Sequence, residues 1–184
     1  PTIAFAEDPT AGAVNAGLSA LWILIAGILV LLMQGGFILL ETGSTRMKNA
    51  GHVAGKTIFT VGLASLVYWA VGYGFAFGGD AEGTLAKFIG LGDFFYSPDF
   101  LGDGSSYPTS VFFVFQLAFV AVSLSIAWGG FAERAKLSVY LIFTLFFASV
   151  IYPVIAHWIW SADGWLFADG AQDFAGSTVV HLTG

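Results

Sequence analysis

The stretch Leu18–Leu40, LSALWILIAGILVLLMQGGFILL, decides the fold because it contains no Asp, Glu, Lys or Arg. A helix rises about 1.5 Å per residue, so roughly 20 apolar residues cross the hydrocarbon of a bilayer. Three further uncharged runs meet the same criterion: Thr57–Gly79, Gly104–Ala132 and Leu137–Ala162. The sequence therefore predicts an all-α integral membrane protein with four complete transmembrane helices, over about 18–40, 57–79, 109–130 and 138–160. The strands of a membrane barrel are excluded because they would alternate apolar and polar residues.

The composition supports this fold class and excludes several functions. Of the 184 residues, 57% are hydrophobic and 10% charged, whereas soluble domains carry about 25% charged residues. Six Lys and Arg against twelve Asp and Glu leave no basic surplus for a phosphate backbone, so we expect no nucleic-acid partner. The absence of cysteine excludes disulfides and thiolate metal sites. No motif requires a cofactor.

The distribution of charge predicts the orientation of the chain in the membrane. Two connections, between the first and second runs and between the third and fourth, hold five of the six basic residues: Arg46, Lys48, Lys56, Arg134 and Lys136. The other connections and the N-terminus are acidic, and they include Glu7, Asp8, Asp99 and Asp103. By the positive-inside rule the basic connections are cytoplasmic. We therefore expect a multi-pass protein of the cell membrane with its N-terminus outside.

A fifth run begins after Asp173 and extends only from Phe174 to Gly184. We expect a fifth helix to begin at 173, and the chain to be an N-terminal fragment of a longer protein. Asp173 is either the N-cap of this helix or a functional residue. His181 lies about 12 Å further along the helix, near the middle of the bilayer, where an ionisable side chain is a candidate functional residue. The alternative for His181 is a hydrogen bond to a neighbouring helix.

Aromatic and small side chains form three further patterns. Trp158, Trp160 and Trp165 fit an interfacial aromatic belt, or alternatively a site where ring faces attract a cation. A stripe of phenylalanines with helical spacing indicates helix packing: Phe112, Phe115 and Phe119. Ala121, Ser125 and Gly129 recur every four residues and predict a close approach of another helix.

Four motifs resemble a known family in their order and separation. They are Glu41-Thr-Gly-x-x-Arg46-x-Lys48-Asn49, Gly130-Phe-Ala-Glu133-Arg134, Ile155-Ala-His-Trp-Ile-Trp160 and Asp173-Phe-Ala-Gly-Ser-Thr-Val-Val-His181. Together they are similar to the ammonium transporter (Amt/Mep/Rh) family. The resemblance implies an eleven-helix fold of two inverted five-helix repeats, of which this chain is the first half, assembled as a homotrimer with one pore per subunit. It also implies ammonium, ammonia or methylammonium as the transported species.

The resemblance also implies roles for four residues. Trp160 matches a tryptophan that recruits ammonium in the outer vestibule, and Phe119 matches one of two phenylalanines that close the pore entrance. Asp173 matches an aspartate that supports the outer site, and His181 matches the first of two pore histidines. The expected mechanism deprotonates ammonium near Phe119 and passes ammonia beside His181. The second histidine, the second phenylalanine and a recruiting serine belong to the second repeat, and Ser177 stands where many members have glycine.

Two other function classes remain as alternatives. Some members of the family sense ammonium and signal through an appended domain, which sequence beyond Gly184 would reveal. A membrane haem protein would use His157 and His181 as paired ligands. An ordinary ion channel is disfavoured because the runs contain neither an acidic ring nor a carbonyl filter motif.

Overall fold

The computed structural model describes residues 10–97 and 107–184, and within them it contains four long helices. The first is α1 (Ala11–Ser44) and the third is α3 (Thr109–Phe131). The second and fourth each consist of two α-helical parts joined by a π-helical turn. For α2 these parts are Ala50–Val67, Tyr68–Gly72 and Tyr73–Phe77, and for α4 they are Leu137–Phe146, Phe147–Ile151 and Tyr152–Trp160. All four are long and apolar enough to span a bilayer, which confirms the predicted fold class.

Shorter segments connect or follow these helices. They are two 3₁₀ turns (Met47–Asn49 and Leu85–Lys87), one α-helical turn (Trp165–Ala168) and a π-helical segment (Ser177–Leu182). The acidic connections lie at the end of the bundle where α2 and α4 finish, which we call the acidic end. Arg46, Lys48 and Arg134 mark the opposite, basic end. The acidic residues 7, 8, 99 and 103 lie outside the described residues.

Helix α1 is longer than the uncharged segment that predicted it. Its 34 residues extend about 50 Å, against about 30 Å of hydrocarbon. It begins at a polar cap, where Thr10 Oγ1 accepts a hydrogen bond from the N–H of Ala13 at 3.2 Å. It ends beyond Leu40 because Glu41 remains helical and is buried against α2.

The structure corrects the placement of Lys56 in a connection. Lys56 lies inside α2, is 1% exposed, and forms a buried ion pair with Glu41 of α1. Its Nζ also lies 5.4 Å from the ring centroids of Trp128 and Tyr140, within the range of a cation–π contact. The charge is therefore compensated by a carboxylate and two rings rather than by water.

Helices α1 and α3 pack closely, and one member of the predicted face of small residues, Ser125, contacts α1. Ala121 and Ser125 are buried, whereas Gly129, at the basic end, is exposed. Ser125 Oγ donates to Gln34 Oε1 of α1 at 2.7 Å. A hydrogen bond between neutral side chains thus joins two apolar helices, as is common in membrane bundles.

At the basic end, Glu133 connects the two basic loops. Its Oε1 accepts from the backbone N–H of Arg46 at 2.9 Å, from Asn49 Nδ2, and from Arg46 Nε. The backbone N–H of Arg46 and the side chain of Asn49, followed by the Arg46 guanidinium, lower the pKa of Glu133 to about 2. Glu133 of one sequence motif therefore contacts Arg46 and Asn49 of another.

Candidate functional site

A cleft of about 380 Å³ opens at the acidic end, between α3, α4 and the segment that follows α4. Its walls are mainly aromatic. The lining residues are Phe112, Phe115, Gln116, Phe119, Ile159, Trp160, Phe167, Ala171, Gln172, Asp173 and Phe174. Three of the four residues singled out from the sequence line this cleft, namely Phe119, Trp160 and Asp173. An apolar concavity with few polar groups is typical of a small-molecule site.

Helices α3 and α4 bring the aromatic rings together. Phe119 packs edge to face against Trp160, with ring centroids 5.5 Å apart and an interplanar angle of 63°. Phe115, one helical turn earlier, also packs edge to face against Phe119, with ring centroids 4.8 Å apart and an interplanar angle of 89°. The phenylalanine stripe therefore contributes to the cleft as well as to helix packing. Ring faces that border an open cavity can attract a cation.

Asp173 holds this arrangement in place through its backbone and its carboxylate. Trp160 Nε1 donates to the backbone carbonyl of Asp173 at 2.6 Å. The carboxylate accepts four backbone N–H groups at 2.8–2.9 Å, from Gly176, Ser177, Thr178 and Val179. It therefore caps the start of the last segment, although the residue that directly precedes the segment is Gly176. The donors of this turn would otherwise be unpaired.

The last segment differs from the ordinary α-helix expected from position 173. Ser177–Leu182 is π-helical and follows Gly176, whose φ is +85°. A Cβ on Gly176 would lie 2.4 Å from Cγ2 of Val180, so this position requires glycine for both its backbone angle and its contacts. Ser177, where many family members have glycine, is exposed and has ordinary φ.

His181 lies on this segment but outside the residues that line the cleft. Its side chain is exposed, and its Nδ1 lies 2.9 Å from the carbonyl oxygen of Gly176. The segment is anchored to α3 because Ser123 Oγ donates to the carbonyl of Val180 at 2.8 Å. His181 is therefore not part of the wall of the aromatic cleft. The backbone between Asp173 and His181 connects the two.

His157 is unsuited to the alternative haem role. It is 1% exposed, and its Nδ1 and Nε2 lie 2.9 Å and 2.7 Å from the carbonyl oxygens of Ala76 and Ala86. Both ring nitrogens are therefore occupied, one by the end of α2 and the other by the loop that follows it. Trp158 likewise donates to the carbonyl of Phe88 at 2.8 Å, so this part of the tryptophan cluster fastens the loop to α4.

The sequence analysis did not identify Gln116 as a candidate. Gln116 lines the cleft beside Phe115, is 5% exposed, and its Oε1 has no hydrogen-bond partner among the described residues. The available signal was a carboxamide within an uncharged run, three residues before Phe119. That signal was weak because the sequence does not show whether such a side chain is paired.

Comparisons with known proteins agree with the geometry. The model of the Ammonium Transporter Family matches residues 21–184. Ammonium transporter 3 of Dictyostelium discoideum is 40% identical over 161 residues, which cover 88% of this chain and 35% of that protein. Ammonium transporter 1 member 3 of Solanum lycopersicum is 38% identical, with coverage of 93% and 37%.

Solved structures show the same architecture. A protein described as a Sensor Amt Protein superimposes with a TM-score of 0.81 and 36% identity, covering 91% of this chain and 42% of that one. The crystal structure of Saccharomyces cerevisiae Mep2 gives a TM-score of 0.73 and 30% identity, with coverage of 89% and 37%. The chain thus spans about two fifths or less of the length of these relatives.

Proposed function

The chain belongs to the ammonium transporter family, and from that premise we propose that it forms the ammonium-recruiting part of a membrane pathway for ammonium and ammonia. The observation that carries the proposal is the cleft in which Trp160 and Phe119 meet above the carboxylate-capped segment that leads to His181. The relatives named as ammonium transporters support the choice of substrate. The proposed setting is the cell membrane, with the acidic end outside and three copies of the full-length protein per assembly.

Recruitment in the cleft follows from the charge and size of ammonium. The ion loses most of its hydration when it enters an apolar cavity, and this is unfavourable unless other groups replace the water. The face of an aromatic ring attracts such a cation by about 0.5–2 kcal/mol. Trp160 is fixed by its hydrogen bond to Asp173, so its ring needs no rearrangement to receive the ion.

We expect deprotonation at the inner side of the cleft because the side chains beyond the cleft are apolar. The rings of Phe119 and Phe115 pack against each other in the cleft wall, and the part of α3 that follows is apolar and buried, with Val120, Val122 and Leu124. An ion cannot be solvated among such side chains, whereas neutral ammonia can pass. In our proposal ammonium transfers its proton to water of the open cleft near Phe119, and ammonia then passes beside His181, whose imidazole offers a hydrogen bond in an otherwise apolar path.

Sensing of ammonium is the second candidate function, because one structural relative is described as a sensor. A measurement of ammonium flux distinguishes transport from sensing. The full-length protein reconstituted in liposomes should take up ammonium or methylammonium in a saturable manner, above the rate of protein-free liposomes. Binding of ammonium without any added flux would contradict transport and favour the sensor.

A further inference from the structure

The wall of the cleft contains a buried carboxamide that no packing argument explains. Gln116 is 5% exposed, and its Oε1 accepts no hydrogen bond from any residue that the structure describes. Buried polar atoms are normally paired, and an unpaired acceptor in an apolar environment is destabilising. An exception in the wall of a cavity leaves an acceptor that a bound ligand can pair with.

The other polar groups of the cleft are already engaged. The carboxylate of Asp173 accepts four backbone N–H groups, and its backbone carbonyl accepts from Trp160. Gln172 is exposed, so water can satisfy its side chain. Aromatic rings attract the charge of a cation but leave its N–H groups without a conventional acceptor. Gln116 is therefore the buried side chain of this cleft that has an acceptor to offer.

We infer that Oε1 of Gln116 accepts an N–H from the ammonium ion held in the cleft, which makes Gln116 a further substrate-binding residue. The inference rests on the proposed function and adds a directional contact to it. Ammonium carries N–H donors on all sides, so a single site can attract its charge with a ring face and bind an N–H with a carboxamide oxygen.

The position of Gln116 on α3 supports this role. Residues three apart on a helix are neighbours on its surface, so Gln116 and Phe119 lie on adjoining parts of the cleft wall. Ile159 and Trp160 of α4 complete the wall opposite α3. An ion held beside Phe119 and Trp160 therefore lies next to the part of α3 that carries the carboxamide.

A purely structural role for Gln116 makes the opposite prediction for one substitution. Gln116→Leu keeps a similar volume and removes the unpaired acceptor. The replacement of an unsatisfied polar group by an apolar one of similar shape is neutral or stabilising for the fold. If the carboxamide binds substrate, the same substitution weakens ammonium binding. In Gln116→Leu, a loss of ammonium affinity without a loss of thermal stability is therefore expected only if Gln116 binds the ligand.

The test measures ammonium uptake by the full-length protein in liposomes, together with its Tm in detergent. For Gln116→Leu we expect the half-saturating ammonium concentration to rise about ten-fold, with an unchanged or higher Tm. Gln116→Glu retains an acceptor oxygen and should keep or lower the half-saturating concentration. Asn15→Leu is the matched control, because it replaces an exposed carboxamide of α1 outside the cleft, and it should behave as the wild type.

Three results separate the possible failures. A wild-type half-saturating concentration in Gln116→Leu overturns the inference. A lower Tm and a reduced maximal rate at unchanged half-saturation also overturn it, because they would assign Gln116 to packing. If the leucine variant does not fold, Gln116→Met makes the same comparison. The absence of ammonium uptake by the wild-type protein would instead reject the proposed function, before any variant is considered.

Discussion

Asp173 shows how one side chain organises several elements of the site. Its carboxylate pairs with four N–H groups at the start of the last segment, and its carbonyl orients the indole of Trp160. A carboxylate with all its lone pairs engaged has little capacity left to bind a cation directly. Its contribution to recruitment, as we propose it, is therefore to hold the Trp160 ring in position and to leave the ring face free.

His181 provides a prediction at the scale of a single residue. In the full-length protein, His181→Ala removes the imidazole hydrogen bond from the proposed apolar path. A contact worth about 1.4 kcal/mol in the barrier corresponds to a ten-fold change in rate. We therefore expect ammonium uptake by proteoliposomes to fall about ten-fold or more, or the ratio of ammonium to methylammonium uptake to change.

His52→Ala is the matched control for His181→Ala. His52 is an exposed histidine of α2 that packs edge to face against Tyr140. It lies far from the cleft, at the basic end, and its variant should transport as the wild type does. Unchanged uptake and unchanged selectivity in His181→Ala would remove His181 from the pathway.

At the scale of helices, the π-helical turns of α2 and α4 pack directly against each other. Gly72 ends the turn in α2, and a Cβ there would lie 2.3 Å from the carbonyl oxygen of Ala148 in the turn of α4. The same Cβ would lie 3.2 Å from Cγ of Pro153. The wider turns thus allow two backbones to touch where glycine removes the side chain, as in other close helix pairs of membrane proteins.

Gly72→Ala should consequently destabilise the fold. Because the nearest atom belongs to the backbone of Ala148, the helices must separate to accommodate the methyl group, and overpacking of this kind costs about 1–3 kcal/mol. Gly62→Ala makes the same change in the same helix where nothing lies within 4 Å. Thermal unfolding in detergent should show a clearly lower Tm for Gly72→Ala alone, and equal Tm values for the two variants would contradict the close packing.

The sequence predicted the four long helices because an uncharged run of sufficient length has few other stable forms in a membrane. It did not predict the π-helical turns, since length and hydropathy carry no information about the hydrogen-bond register within a helix. It also misplaced Lys56, because a lysine next to an uncharged run is assigned to a loop unless its buried partner Glu41 is known. The site residues Trp160 and Phe119 were found through the family resemblance, whereas Gln116 required the knowledge that its oxygen is unpaired.

At the scale of the whole molecule, charged contacts join the two basic loops at one end of the bundle. The carboxylate of Glu133 accepts hydrogen bonds from Arg46 and Asn49. The backbone φ of Glu133 is +59°. The ion pair of Glu41 and Lys56 lies within the bundle, between α1 and α2. Removal of one partner of such a buried pair is strongly destabilising, because the remaining charge is then uncompensated.

The contacts of Glu133 predict a dependence of stability on pH. Its pKa is about 2 in the folded protein, below the ordinary value of 4.5, because the backbone N–H of Arg46 and the side chains of Asn49 and Arg46 favour the carboxylate. A depressed pKa contributes stability that is fully present above pH 4.5 and is lost as the pH falls through about 2. Glu133→Gln should abolish this part of the fall in Tm between pH 5 and pH 2.

Glu82→Gln is the matched control for this pH experiment. Glu82 is an exposed carboxylate at the acidic end, and no described residue bonds its side chain. Its variant should retain the wild-type dependence of Tm on pH. If Glu133→Gln and the wild type lose stability in parallel from pH 5 to pH 2, the three contacts of Glu133 contribute nothing to the folded state.

The most direct test of the account compares two tryptophans of the full-length protein in liposomes. Trp160→Leu removes the ring that faces the cleft, whereas Trp158→Leu removes a ring that fastens a loop through Phe88. A lost cation–π contact of about 0.5–2 kcal/mol predicts a rise of about 2- to 30-fold in the half-saturating ammonium concentration for Trp160→Leu, and little change for Trp158→Leu. Equal half-saturating concentrations in the wild type and in Trp160→Leu would contradict recruitment of ammonium in the aromatic cleft.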